Sequence, residues 1–285
     1  MDKLSSTPST LTNTSATDTP VVLCFSGLDP SGGAGLQADI ETLASIGCHC
    51  APIATVLTAQ DTRDIQSIQT VNAHLILEQA RSVLEDLPVA AIKIGLLGDL
   101  NTVSTLHTLF QDYPQLPVIW DPVIASGGGT QLLEQDLINT ASHLLMPHTH
   151  ILTPNAAEAR ILSEQSDSLN ACAHELMSMG AEYVLITGTD EKTPRVENRL
   201  WGNGKALLNC HWDRLPHQYH GSGCTLAAAI AGYISQGLDP LSATREAQAF
   251  TWKSLQAAKR LGMGQHLPYR LHWSQAQEAC EDSLA

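Results

Sequence analysis

The chain has 285 residues, 43% of them hydrophobic, a formal net charge of −14 and no run of lysines or arginines. That length suits one α/β domain with a sizeable core, and the acidic balance offers no footprint to a nucleic-acid backbone or an anionic membrane. No segment reaches the roughly eighteen consecutive apolar residues of a membrane span, and the N-terminus has neither a basic nor an apolar leader region, so a cytoplasmic protein is expected.

The seven cysteines are an odd number scattered along the chain, which predicts reduced thiols and no disulfide framework. Cys48-His49-Cys50 has no second ligand pair at zinc spacing, and no structural zinc is assigned to it.

Residues 1–19 are Ser, Thr, Asn, Asp and Pro with little apolar content, a composition that predicts a disordered tail. A single domain over 20–285 is expected to follow. Short apolar runs rich in β-branched residues predict buried strands at Val21 to Phe25, Pro52 to Leu57, Ala90 to Ile94, Val118 to Trp120, His150 to Leu152 and Tyr183 to Ile186. Helical spacing of apolar residues lies between them, at Leu36, Ile40, Leu43 and Ile46, at Leu75, Leu77, Ala80 and Leu84, and at Leu169, Ala173, Leu176 and Met179. This alternation predicts a mostly parallel sheet covered on both faces. Glu197 to Trp201 and Lys205 to Cys210, joined through Gly202-Asn203-Gly204, read as a β-hairpin on the sheet edge, followed by apolar helices from about Ser222 to Ser235 and Pro240 to Arg260.

The strongest chemical signal is His220-Gly221-Ser222-Gly223-Cys224-Thr225, a glycine turn running into an alanine-rich helix. Unpaired N–H groups at such a helix start can hold a phosphate or a developing anion, although Gly and Ser also serve there as plain caps. Cys224 falls in the first helical turn, where the dipole is expected to lower its pKa from the free value of about 8.5 and fit it to act as a base. Gly27-Leu28-Asp29-Pro30-Ser31-Gly32-Gly33-Ala34-Gly35 follows the first strand, so it lies at the sheet edge where open α/β folds bind ligands. It matches neither the P-loop nor the dinucleotide fingerprint. In Thr153-Pro154-Asn155-Ala156-Ala157-Glu158 the Asn and Glu share one helical turn and can address one hydrated cation, and Asp121 before Pro122 offers a second carboxylate.

Taken in order from about Val21 to Gly264, these motifs resemble the ribokinase-like superfamily, and within it the hydroxymethylpyrimidine kinases. The likeness rests on Ser26 to Asp39, Thr58-Ala59-Gln60-Asp61-Thr62, Lys93-Ile94-Gly95-Leu96-Leu97, Asp121-Pro122-Val123, Thr153-Pro154-Asn155 with Glu158, and His220 to Thr225. The resemblance implies a three-layer α/β/α sandwich, a homodimer, and transfer of phosphate from MgATP to a pyrimidine hydroxymethyl group or to its monophosphate. It implies Gln60 as the contact to the pyrimidine amine and ring nitrogen, with Ala34, Asp39, Leu96 and Val123 lining the pocket. Cys224 would be the base and Gly221, Ser222 and Gly223 the anion hole. Asn155, Thr187, Gly188, Gly221 and Gly223 would meet the nucleotide, and Asp121 and Glu158 would assist Mg²⁺ through water. Thr187-Gly188-Thr189-Asp190 departs from the Lys and glycines that many of these kinases carry there. Pyridoxal kinases, which share the fold, are the alternative; a cysteine hydrolase and a non-catalytic sensor are the rival classes.

Overall fold

Each of the predicted strands feeds one sheet. The computed structural model describes residues 19–164, 167–189, 191 and 193–276, so the expected N-terminal tail lies outside the described residues apart from Thr19. Strands β1 (Val21–Leu28), β2 (His49–Gln60), β4 (Val89–Ile94), β5 (Val118–Trp120), β6 (Thr149–Leu152) and β7 (Tyr183–Ile186) run parallel. Strand β3 (Ile65–Thr70) joins antiparallel beyond β2, and β8 (Arg195–Gly202) and β9 (Lys205–Asp213) form the hairpin at the opposite edge. The spatial order is β3-β2-β1-β4-β5-β6-β7-β8-β9. The strand order switches sides between the parallel neighbours β1 and β4, which makes their carboxyl ends the natural ligand crevice.

The period-two alternation of β1 divides the core into two layers. Val21, Leu23 and Phe25 face one hydrophobic cluster, and Val22 and Cys24 the other. The first is completed by α2 (Ala73–Asp86), α3 (Leu100–Asp112), α4 (Gln135–Leu145), α5 (Ala156–Leu162) and α6 (Leu169–Ser178), the second by α1 (Gly35–Ser45), α7 (Ser222–Ser235) and α8 (Pro240–Gln256). This is the expected three-layer sandwich.

Three differences from the sequence reading have physical causes. Strand β3, Ile-Gln-Ser-Ile-Gln-Thr, carries no apolar run because it is an exposed edge strand. Helix α8 stops at Gln256, not near Arg260, because the chain turns back and pairs Lys259 with Leu267. The strands run longer than their apolar stretches because ladder pairing extends into polar residues, as at His49 and Gln60 of β2. The hairpin turn is as expected: Asn203 and Gly204 both take positive φ, 52° and 69°, as a two-residue turn between twisted strands requires.

Candidate active site

Asp29 organises the loop after β1. Its Oδ1 accepts the Ser31 N–H at 2.8 Å, and its Oδ2 accepts those of Gly33 at 3.1 Å and Ala34 at 2.8 Å. His220 Nε2 lies 2.8 Å from the same Oδ2, tying this loop to the turn before α7. Burial opposes the carboxylate, yet the bonds from His220 and Ser31, the His220 charge and the Ala34 N–H together draw its pKa from 3.8 to about 2. A depressed carboxyl contributes stability above its unfolded pKa, and that contribution is lost as pH falls through the folded value. Asp29→Asn should therefore remove the part of the acid destabilisation that wild type shows between pH 3.8 and about 2. Urea unfolding across that window checks it, and an unchanged pH slope would contradict the assignment.

Gly221 begins α7 with φ of 85°, and a Cβ there would run into the Gly33 carbonyl. The left-handed turn and the close approach of the two glycine loops are thus one constraint. Arg270, 1% exposed, locks the junction from behind. Its Nη2 donates to the Gly33 carbonyl at 2.5 Å, its Nε to Thr225 Oγ1 at 2.9 Å, and its Nη1 to Glu41 Oε2 at 3.0 Å. Gly221→Ala should cost about 1–2 kcal/mol for the left-handed backbone alone, with more from the clash, and should lower kcat by spreading the loops. Thermal unfolding alongside turnover measures both; a variant as stable and active as wild type would sink this reading.

Beneath the glycine turns lies a buried cluster of charges. Lys93, near the carboxyl end of β4, is fully buried with Nζ 3.0 Å from Asp39 Oδ1, 3.1 Å from Asp39 Oδ2 and 2.8 Å from Ser26 Oγ. Ser26 in turn donates to Asp39 at 2.6 Å. Burial works against the Lys93 ammonium, but Asp39 first, then Cys224, Asp121 and Cys24, outweigh it and raise its pKa, so it stays charged. Asp121 is pushed up to about 6, by burial above all, with Lys93 and a bond from Cys224 pulling the other way.

Two expectations change here. Cys224 is not a lowered thiol: burial pushes it up to about 12, Asp121 and Asp39 add to the rise, and Lys93 and the Gly35 N–H offset only part of it. The helix start does not outweigh desolvation beside two carboxylates. Asp39 is not a pocket wall; its side chain is fully buried and bound to Lys93 and Ser26, which makes it the support of the floor.

Around this floor the other residues fall into two groups. Gln60 ends β2 on the wall of an open cleft of about 460 Å³, with Ser31, Thr62, Leu261, Met263 and Leu267. Ala34 is half-buried above α1, while Leu96 and Val123 follow β4 and β5, Leu96 against Gly27 and Val123 on a small apolar cavity. On the other side Asn155 bridges to Thr187 between the ends of β6 and β7, and Gly188 donates to Asn198 Oδ1 at 3.1 Å. Gly188 presses on the Glu197 main chain, where a Cβ would not fit. Of the departing segment Thr187 to Asp190, Asp190 lies outside the described residues.

A magnesium ion fits this site only in part. Among the described residues no cluster of three His, Cys, Asp or Glu side chains could hold a metal alone. Asp121 Oδ2 is buried and has no hydrogen-bond partner, so it can receive a metal-bound water. Glu158 is engaged in a capping box, its Oε2 accepting the Asn155 N–H at 2.9 Å while Asn155 Oδ1 accepts the Glu158 N–H at 2.8 Å. Its Oε1 also receives the Ile124 N–H at 3.4 Å. Phosphates and water would complete such a shell.

Three supports had no role in the sequence reading. Lys93 was detectable in principle, as a charge inside the apolar run Ala90 to Ile94 demands a buried partner. The His220–Asp29 pair spans 191 positions and Arg270–Gly33 spans 237, separations that leave no local pattern.

The layer order, with glycine loops at the carboxyl ends of β1 and before α7, defines the ribokinase-like kinases. A sequence profile described as phosphomethylpyrimidine kinase matches residues 29–270. The chain belongs to that family. It is 32% identical over 253 residues to the hydroxymethylpyrimidine/phosphomethylpyrimidine kinase of Rhizobium meliloti, covering 87% of this chain and 94% of that one. It is 34% identical to a probable thiamine biosynthetic bifunctional enzyme of Oryza sativa, over 86% of this chain and 46% of that one. The chain therefore spans about half the length of the plant relatives and nearly all of the bacterial one. Among solved structures, the phosphomethylpyrimidine kinase of Clostridium difficile superposes with a TM-score of 0.72 at 26% identity, over 83% of this chain and 99% of that one. The Bacillus subtilis pyridoxal kinase, solved as an ADP complex, shares the fold with a TM-score of 0.81 at 24% identity, over 90% of this chain and 99% of that one. Among the described residues no helix is long and apolar enough to cross a membrane.

Proposed function

We propose that this chain transfers the γ-phosphoryl group of ATP to 4-amino-5-hydroxymethyl-2-methylpyrimidine, to its monophosphate, or to both, in thiamine biosynthesis. The observation that carries this reading is Cys224 at the start of α7, with Asp121 and Lys93 beneath it and the glycine turn Gly221 to Gly223 around it. The names of the bacterial relatives support the substrate class.

The chemistry follows from these placements. Main-chain N–H groups from Gly221 to Cys224 hold charge as it develops on the transferring group, a preorganised contribution that needs no proton transfer. Gln60 offers one donor and one acceptor side by side to the pyrimidine edge. Asn155, Thr187 and Gly188, at the ends of β6 and β7, lie on the nucleotide side. Cys224 is a thiol at rest, so accepting the hydroxyl proton requires its own proton to leave. The neighbouring Asp121 carboxylate is assigned as that acceptor. The proton passes from the substrate hydroxyl to Sγ as the Sγ proton passes to Asp121, and the alkoxide attacks phosphorus. Asp121 Oδ2, buried without a hydrogen-bond partner, would help hold Mg²⁺ through water, and the ion would supply neutralisation of phosphate charge. A cytoplasmic homodimer with one domain over 20–285 completes the reading.

The test is phosphate transfer from MgATP to the pyrimidine and its monophosphate, beside pyridoxal. Pyrimidine turnover with little pyridoxal turnover supports the proposal. Preference for pyridoxal would move the chain to the alternative, and ATP turnover on neither would overturn both.

A further inference from the structure

His220 is held from three directions. Its Nε2 lies 2.8 Å from Asp29 Oδ2 and 3.3 Å from Gln60 Nε2. Its main-chain N–H donates to the His266 carbonyl at 2.9 Å, and its ring occupies the space that a side chain on Gly33 would need. The His220 and Asp29 side chains are 14% and 4% exposed, whereas Gln60 stands on the wall of the cleft. The pair is therefore shielded, and the amide it touches faces the ligand space.

One ring nitrogen cannot donate to Asp29 and accept from Gln60 at once. Asp29 already accepts three main-chain N–H groups, so its carboxylate is an acceptor only. Nε2 must carry a hydrogen, whatever the state of Nδ1. The end of Gln60 nearest to it must then be an acceptor. Amide oxygen and nitrogen exchange places by a half-turn about the last side-chain bond. The orientation that avoids donor against donor puts Oε1 on His220 and turns the NH₂ group toward the cleft.

We propose that His220, its Nε2–H pinned by Asp29, is the positioning residue that sets the polarity of the Gln60 amide. The cleft then shows an N–H donor for a ring nitrogen and, beside it, the second lone pair of Oε1 for an exocyclic amine. This deepens the function proposed above and rests on its premise that Gln60 reads the ring. Without His220 the amide turns freely, and the inverse pattern, an exocyclic carbonyl beside a ring N–H, is read as well as the first.

The experiment compares the 4-amino pyrimidine with its 4-oxo analogue, which presents that inverse pattern, in wild type, His220→Leu, Gln60→Ala and the double variant. His220→Leu should reduce the amino-over-oxo ratio of kcat/KM at least about tenfold, mainly through KM. The double variant should discriminate no worse than Gln60→Ala alone, since His220 acts through that amide. Additive losses, or an unchanged ratio in His220→Leu, would overturn the proposal. Independently of any substrate, nitrogen NMR of the ligand-free protein should show His220 protonated at Nε2. A neutral ring protonated only at Nδ1 would overturn it, and this measurement stands if His220→Leu does not fold. Wild type that phosphorylates no pyrimidine would sink the proposed function, whereas the NMR result would still decide the His220–Gln60 orientation.

Discussion

Cys224→Ala is expected to lower kcat at least about a hundredfold, the usual scale of a lost proton acceptor, while KM for the pyrimidine moves little. Cys224 is half-buried beside Asp121 and Lys93 at the first turn of α7, and Ala keeps the helix while removing the only atom that joins hydroxyl to carboxylate in the proposed proton path. Steady-state kinetics with thermal unfolding as a control make the test. A kcat within about threefold of wild type would place Cys224 outside that path. The raised pKa of about 12 adds a second sign. Alkylation of Cys224 in the ligand-free protein should be slow near neutral pH and accelerate only in strong alkali, because the thiolate is the nucleophile. Rapid labelling at neutral pH would contradict the raised thiol pKa.

The second large effect is on stability. Lys93→Met should destabilise the fold by about 3–5 kcal/mol, since it strands the Asp39 carboxylate without its cation, with Asp121 close by. A loss of that size is a large share of a domain's total stability, so the variant will be partly unfolded at ordinary temperatures. Combining Lys93→Met with Asp39→Leu removes both charges and should recover most of the loss. Urea denaturation of the three chains measures it, and a single variant as stable as wild type would show that the pair contributes nothing. The recovered double variant should still turn over slowly, because no cation would then balance Asp121 and the sulfur of Cys224.

The sequence was most legible where residues act locally. Short continuous apolar runs marked β1, β4, β5 and β7 because those strands lie largely inside the sandwich, and Asn203-Gly204 marked its hairpin because few dipeptides accept two positive φ angles. Strand β3 stayed hidden since an exposed edge strand needs no apolar pattern. Motif spacing led to the glycine turns and Cys224, but the chemistry of that thiol depends on Asp39 and Asp121, 185 and 103 positions away, and on burial no local pattern encodes. Asp39 failed as a pocket residue for the same reason: it lies on α1 while its partner Lys93 sits on β4, and only their pairing explains both.

The Arg270 clamp has a consequence for how the protein comes into being. During synthesis at about 5–20 residues per second, Gly33 leaves the ribosome well before the guanidinium 237 positions later that will hold its carbonyl. The first glycine loop and the helix beginning at Gly221 therefore cannot settle against each other until the last quarter of the fold has been made. Such distant pairings close slowly because the loop entropy is lost before the contact forms. A nascent chain stalled ahead of residue 270 would carry its central strands without a finished anion-binding turn.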